Sequence, residues 1–220
     1  MKNVLIIAPH ADDEVLGVGG TIQKHIKSGD NVTTLILCDR RNMEHQRDQA
    51  THASKILGYR DVYWGNLVDE TLDNMLKLVI DEIESVYLRV KPNVIYTCYE
   101  SDINTDHQVV FRASTVACRI LQPTSPATIL SYEVPSSTTQ SRLKYFEPNW
   151  YSKLDRAQVD TKVKALNQYS DELRTYPNPR CSEGLTSYAK FRGMECNCEY
   201  AEAFKLIYNF TKFDYGNYTI

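Results

Sequence analysis

The first twenty residues constrain the fold of this chain more than any other stretch. An unbroken apolar run over residues 4–8 is followed within five positions by His10, Asp12, Asp13 and Glu14. Such a run predicts a strand that is buried on both faces, as in the middle of a parallel sheet. The polar cluster then lies at the carboxyl end of that strand, where open parallel sheets bind their ligands.

The density of acids in this cluster indicates a bound cation. Carboxylates crowded at a strand end repel one another unless positive charge lies among them, and a divalent cation supplies that charge. We expect His10 and Asp13 to be ligands. The alternative is that Asp12 or Asp13 caps the next helix while Glu14 complements its dipole. A cap uses one acid, however, and leaves the histidine and the second acid without a role.

The rest of the chain alternates between strand and helix patterns. Strand patterns cover residues 31–38, 61–64, 93–98, 127–134 and 204–208. Helix patterns cover residues 14–27, 43–57, 71–90, 107–117, 155–169 and 182–191. Strands that alternate with helices are typical of right-handed βαβ units. We therefore predict one Rossmann-like α/β domain over residues 1–220, with a mostly parallel sheet and helices on both faces.

Composition excludes several classes of partner. The 220 residues suit one domain, and 28 acidic against 25 basic residues, with no basic block, argue against nucleic acid or an anionic membrane. The amino terminus lacks a signal-peptide pattern, and no apolar run reaches membrane length. We expect a cytoplasmic protein with six reduced cysteines and a small-molecule partner. The sequence leaves the oligomeric state open.

A second polar cluster follows the fourth predicted strand and ends in Asp106 and His107. If the first and fourth strands are neighbours in the sheet, His107 can reach His10 and Asp13. Two histidines and one carboxylate, with a fourth position for water, are the pattern of a catalytic zinc site. The alternative is a histidine that merely occupies a helix start, which the pairing with the first cluster disfavours.

These two clusters carry a resemblance to a known family. The segments Pro9-His10-Ala11-Asp12-Asp13-Glu14 and Asp106-His107 resemble the zinc-dependent deacetylases of the N-acetylglucosaminyl-phosphatidylinositol (PIG-L) and LmbE-like family. Residues 131–137, 148–151, 177–180, 192–193 and 200–204 also resemble segments of bacterial members, so the likeness spans nearly the whole chain. The resemblance implies one LmbE-like deacetylase domain over residues 1–220. It also implies that His10, Asp13 and His107 bind zinc and that Asp12 is the general base.

The sequence departs from the family pattern at two positions. Ala11 stands where the family usually has proline, and Asn104 replaces the first histidine of a His-x-Asp-His motif. An asparagine amide can donate a hydrogen bond but cannot transfer a proton at neutral pH. Asp12 is then the candidate for returning a proton to the leaving amine. Asp106, without its imidazole partner, is expected to cap the helix that follows.

We expect a hydrolase that removes an acetyl group from an N-acetylglucosamine-type sugar or glycoconjugate. Asp12 accepts a proton from the attacking water, and Zn²⁺, helped by Asn104, stabilises the oxyanion. Glu133 and Trp150 are predicted sugar contacts, with ordinary packing as the alternative. Arg180 is predicted to bind a substrate anion or a carboxylate of the fold.

Two other functions remain open on the sequence alone. One is a sugar- or nucleotide-binding protein on the same scaffold, with weak or no turnover. The other is hydrolysis of an N-acyl group that is not on a sugar.

Overall fold

A computed structural model describes residues 1–39, 43–59, 61–119 and 125–210. Its strands are β1 (Asn3–Ala8), β2 (Asn31–Asp39), β3 (Asp61–Val68), β4 (Val94–Cys98), β5 (Thr128–Tyr132), β6 (Trp150–Leu154) and β7 (Tyr200–Asn209). Its α-helices are α1 (Asp13–Lys27), α2 (Met43–Leu57), α3 (Leu76–Val90), α4 (Thr105–Ala117), α5 (Arg156–Leu166) and α6 (Ser182–Glu195). None of the helices in this part of the chain has the length and apolar character needed to cross a bilayer.

One sheet contains all of these strands, in the order β3-β2-β1-β4-β5-β7-β6. Strands β1 to β5 are parallel, while β7 runs antiparallel to both β5 and β6. Helices α1, α2, α5 and α6 form one connected group, and α3 packs on α4 as a second. The predicted α/β class with a mostly parallel sheet is confirmed.

Strand β1 lies at the point where the strand order reverses. It pairs with β2 on one side and β4 on the other, and every residue from Val4 to Ala8 is fully buried. In open α/β sheets the crevice at such a switch point is the usual ligand site. Strands β1 and β4 are neighbours. His107, which follows β4, can therefore lie close to His10, which follows β1, as predicted from the sequence.

Several element boundaries differ from the predicted ones. Strand β3 continues to Val68, and α3 begins at Leu76 because residues Leu72–Asn74 form a 3₁₀ turn first. Strand β6 was not predicted at all. It is a five-residue edge strand whose ladder partner is β7 alone.

Glycines in α1 let the helix lie unusually close to the sheet. A Cβ added at Gly17 would lie 2.2 Å from Cδ2 of Tyr132, and one at Gly20 would lie 2.4 Å from Cδ1 of Leu154. Both contacts are far inside the van der Waals limit. The helix that starts at the polar cluster is therefore held against β5 and β6 by residues that have no side chain.

Candidate metal centre and active site

The turn after β1 gives Asp12 and Asp13 different surroundings. Asp13 is the first residue of α1, and Asp12 occupies the N-cap position with a left-handed φ of 114°. The Asp12 side chain makes no capping hydrogen bond. The alternative in which the Asp12 side chain caps α1 is therefore wrong.

Three predicted ligands come together behind this turn. The Oδ2 atom of Asp13 lies 3.2 Å from Nδ1 of His10 and 3.2 Å from Nε2 of His107. One donor atom from each of the three residues lies within 4.8 Å of the other two. All three side chains are almost completely buried.

The far nitrogen of each imidazole faces carboxylates. Nε2 of His10 lies 2.8 Å from Oδ1 of Asp69 and 3.2 Å from Oδ2 of Asp106. Nδ1 of His107 lies 3.4 Å from Oδ2 of Asp102. Carboxylates behind histidines are typical of metal sites, where they fix the tautomer and make the imidazole a stronger ligand.

Hydrogen bonds hold these supporting carboxylates in place. Asp102 accepts from the hydroxyls of Ser137 and Thr138. Asp106 accepts from the backbone N–H groups of Glu70, at 2.8 Å, and Leu72, at 3.2 Å. The segment after β3 and the loop after β5 are thereby tied to the two histidines.

Charge in the cluster is strongly coupled. Burial alone would raise the pKa of Asp13, but the adjoining His107 and His10 hold it well below its usual range. Burial disfavours the charged imidazoles, yet Asp13 and Asp102 raise the pKa of His107 to about 9. Asp106, Asp13 and Asp69 likewise raise the pKa of His10 well above its ordinary value. Protons on the two histidines therefore offset part of the negative charge of the surrounding acids.

The donor set and its spacing fit a zinc ion. Two ligands bound at about 2.1 Å to a tetrahedral ion lie about 3.4 Å apart, close to the 3.2 Å separations of Asp13 from His10 and His107. Oδ1 of Asp13 is buried and accepts no hydrogen bond from the described residues. Two imidazoles also favour zinc over magnesium or calcium, which prefer oxygen ligands.

Asp12 points to a different part of the site. Its Oδ2 atom lies 3.0 Å from Nη1 of Arg180. The same guanidinium pairs with Glu172 and donates from Nε to the hydroxyl of Ser136, at 2.8 Å. Of the two predicted roles for Arg180, the structure shows the contact with carboxylates of the fold.

Glu14 supports the turn from behind. Its Oε2 atom accepts from the backbone N–H of Asp12 at 3.1 Å, and its Oε1 atom accepts from the hydroxyl of Tyr169. Burial raises the pKa of Glu14 to about 7, against the opposing effect of the Tyr169 hydrogen bond. Glu14 therefore does more than complement the helix dipole.

The capping role expected of Asp106 belongs to Asn104. The Asn104 side-chain oxygen accepts from the backbone N–H of Asp106 at 2.9 Å, and it is the N-cap of α4. Asp106 uses its own carboxylate on His10 and the backbone after β3. The expectation for Asp106 was wrong because the Asn104 amide, two residues earlier, meets the same need.

The predicted sugar contacts, Glu133 and Trp150, have different surroundings. Glu133 is buried and bound by Arg192, with Nη2 to Oε2 at 2.6 Å, and by the hydroxyl of Tyr188. Trp150 borders a groove with Lys2, Val94 and Thr128, at the amino ends of the parallel strands. Trp150 is 43% exposed, and contact of either residue with a sugar stays a prediction.

Several site residues escaped the sequence reasoning. They are Asp69, Asp102, Tyr169 and Glu172. Asp69 follows directly after β3, at the same sheet edge as His10, and only the true length of that strand would have indicated it. Asp102 lies within the second polar cluster, so its proximity to His107 was available as a signal. The other two lie beyond the second cluster and have no local signal.

Comparisons with known proteins place this chain among deacetylases. The model of the family described as GlcNAc-PI de-N-acetylase (PIG-L) matches residues 5–118. The uncharacterized deacetylase YaiS of Escherichia coli is 25% identical over 177 residues, covering 76% of this chain and 90% of that protein. A probable N-acetyl-alpha-D-glucosaminyl L-malate deacetylase of Bacillus cereus is 30% identical over 129 residues, covering 51% of this chain and 59% of that relative.

Solved structures share the whole fold at lower identity. The N,N'-diacetylchitobiose deacetylase of Pyrococcus horikoshii superposes with a TM-score of 0.76 at 20% identity, covering 94% of this chain and 84% of that one. The 4-carboxy-2-hydroxymuconate hydratase of Pseudomonas putida gives 0.73 at 20% identity, covering 98% and 100%. Because a deacetylase and a hydratase share this fold, the reaction has to be argued from the site.

Proposed function

Because this chain belongs to the PIG-L family of GlcNAc-PI de-N-acetylases, we propose that it is a zinc-dependent hydrolase of an N-acetylglucosamine-type sugar or glycoconjugate. The observation that carries the proposal is the meeting of His10, Asp13 and His107 in one buried cluster. The names of the Bacillus cereus relative and the Pyrococcus horikoshii structure support an acetamide on a sugar. The bond broken is the amide between the acetyl group and the sugar nitrogen.

The proposed zinc ligands are Nδ1 of His10, Oδ2 of Asp13 and Nε2 of His107. Zinc, when bound, supplies a Lewis acid that acidifies water and polarises the acetyl carbonyl. Carboxylates on the far nitrogen of each ring determine which nitrogen binds zinc. Asp69 and Asp106 contact Nε2 of His10, and Asp102 contacts Nδ1 of His107.

Asp12 is the proposed general base. It accepts a proton as water attacks the acetyl carbonyl, and it returns that proton to the amine as the carbon–nitrogen bond breaks. Its carboxylate lies on the same turn as the ligand Asp13 but outside the ligand cluster, held by Arg180 at 3.0 Å. A base that is oriented in this way contributes roughly 10²–10⁴-fold to a rate.

Asn104 is the proposed oxyanion donor. Its side-chain oxygen is engaged in capping α4, so the amide N–H₂ group is the part of the side chain that would donate to a substrate. The amide can stabilise negative charge on the acetyl oxygen, and loss of one such donor typically costs about 2.7–4 kcal/mol. It cannot replace a histidine in proton transfer, so Asp12 carries both proton steps.

Acetate release tests the proposal. Purified protein is assayed on a panel of N-acetylated sugars and glycosides, with N-acyl amino acids as the non-sugar arm. We expect activity on the sugar arm that a chelator abolishes and zinc restores. Activity confined to the amino-acid arm would favour the other amidohydrolase, and binding of sugars without release of acetate would favour a binding protein.

Two variants separate the metal ligand from the base. His107→Ala is expected to lose bound zinc, whereas Asp12→Asn is expected to retain zinc and lose roughly 10²–10⁴-fold in kcat. Metal analysis of each purified variant is the control for both. An Asp12→Asn protein with full turnover would remove Asp12 as the base.

A further inference from the structure

A second group of donors lies on the other side of the His10 ring. Its members are His10, Cys38, Asp69 and Asp106, each with one donor atom within 4.8 Å of the other three. The Nδ1 atom of His10 faces Asp13, while Nε2 faces Asp69 and Asp106. One imidazole therefore lies between two donor groups.

The topology brings this group to the same sheet edge. Cys38 is the penultimate residue of β2, Asp69 follows the end of β3, and Asp106 lies in the first turn of α4, after β4. Cys38 and Asp106 are buried, but the Asp69 side chain is 22% exposed. Asp69 gives an ion in solution a route to the group.

Orientation of His10 does not require all of these residues. One carboxylate on Nε2 is enough to fix a tautomer, yet two lie within 3.2 Å of that nitrogen. Cys38 is a buried thiol that no step of the proposed hydrolysis uses. Sulfur, imidazole and two carboxylates together form a donor set that binds zinc and similar divalent ions.

We propose that a second divalent cation binds at Nε2 of His10, Sγ of Cys38 and the carboxylates of Asp69 and Asp106. His10 then bridges two cations, and binding releases the Cys38 thiol proton and the remaining His10 ring proton to solvent. The second cation neutralises the carboxylates that strengthen His10 as a ligand, so it lowers turnover. The inhibitory part of this inference rests on the proposed function.

Cobalt titration tests the second site without an activity measurement. Among the proposed ligands of both sites Cys38 is the only thiol, so the second Co²⁺ equivalent should add a thiolate-to-cobalt charge-transfer band in the near ultraviolet. Cys38→Ser should remove the band and one of two bound equivalents, and Asp69→Asn should weaken binding of that equivalent. If the buried Cys38→Ser change prevents folding, Asp69→Asn still tests the second site.

A matched control addresses the other thiols. The Sγ atoms of Cys196 and Cys198 lie 3.4 Å apart, so this pair is itself able to chelate cobalt. The Cys196→Ser/Cys198→Ser protein should keep the band. If that double variant loses the band while Cys38→Ser keeps it, the proposed second site is wrong.

Zinc inhibition then links the site to turnover. We expect excess zinc to lower acetate release at least about tenfold and expect Cys38→Ser to remove most of this inhibition. If the protein binds two Co²⁺ equivalents but releases acetate from no substrate, the second site is supported and the proposed hydrolase is wrong. If it releases acetate but binds one Co²⁺ equivalent without a charge-transfer band, the hydrolase is supported and the second site is wrong.

Discussion

At the scale of single residues, Asp12 has the most unusual backbone in the site. Its φ of 114° lies where L-residues are rarely found, and such conformations cost about 1–3 kcal/mol. Capping of α1 does not offset the cost, because the side chain makes no capping bond. The strained turn instead places Asp12 beside Arg180 and Asp13 between two histidines. The arginine contact is therefore the part of the turn to test.

We predict that Arg180→Gln lowers kcat by roughly 10–100-fold and leaves zinc content unchanged. The guanidinium holds Asp12 and is itself held by Ser136 and Glu172, so its loss frees the proposed base to move. Steady-state kinetics and metal analysis measure the two effects. Arg174→Gln is the matched control, because Arg174 also lies near Glu172, at 3.9 Å. A rise in KM with kcat unchanged would instead assign Arg180 to a substrate anion.

The charge state of the two histidines predicts proton release on metal binding. The pKa of His107 is raised to about 9 and that of His10 is also raised, so near neutral pH both imidazoles are protonated in the metal-free protein. Zinc requires them neutral, and binding of the first equivalent should expel about two protons. Zinc affinity should therefore rise with pH up to about 9 and fall in acid.

Calorimetry in buffers of different ionisation enthalpy counts these protons. Asp102→Asn is the comparison variant, since it removes a carboxylate that raises the pKa of His107. It should release fewer protons near neutral pH. Zinc binding with no proton release in the unaltered protein would contradict the charge state described here.

At the scale of elements, the sequence predicts the helices and strands that a local residue pattern determines. The boundaries of α2 are predicted without error, and β1 is identified by its unbroken apolar run. His10, Asp13 and His107 follow from strand ends that the parallel topology brings together. Strand β6 and the Arg180–Asp12 pair were missed because each depends on a partner distant in sequence. Arg180 was singled out, but the loop packing that chooses its partner has no periodic signature.

We predict that Gly17→Ala destabilises the protein by about 1–3 kcal/mol. The new methyl would lie 2.2 Å from the Tyr132 ring, and that ring is fixed by a hydrogen bond from its hydroxyl to the carbonyl of Ile7, at 2.9 Å. The helix-propensity gain of alanine, about 1 kcal/mol, acts in the opposite direction and offsets part of this cost. Urea unfolding measures the net effect.

A double-mutant cycle separates the clash from other causes. In a Tyr132→Leu background the smaller side chain leaves room for the methyl group, so the cost of Gly17→Ala should fall well below its value in the unaltered protein. Equal costs in the two backgrounds would show that the Tyr132 contact is not responsible.

At the scale of the whole molecule, the chemistry is divided unequally along the chain. The family model matches residues 5–118, and all three proposed zinc ligands lie there. Residues from the remainder hold the neighbours of these ligands: Thr138 binds Asp102, Tyr169 binds Glu14, and Arg180 binds Asp12. Glu202 on β7 accepts from the backbone of α1 at Gly20 and Thr21.

We therefore predict that a fragment of residues 1–119 does not form the zinc site, although it contains every proposed ligand. Without β5 and β7 the sheet ends at β4, and the apolar face of α1 that packs on Tyr132 is exposed to water. Circular dichroism and zinc titration should show a poorly folded chain with zinc affinity at least about tenfold weaker. The control is a chain that ends at Phe210, which retains all described residues and should bind zinc like the 220-residue chain. Equal affinity in the short fragment would show that the first half of the chain is sufficient to build the site.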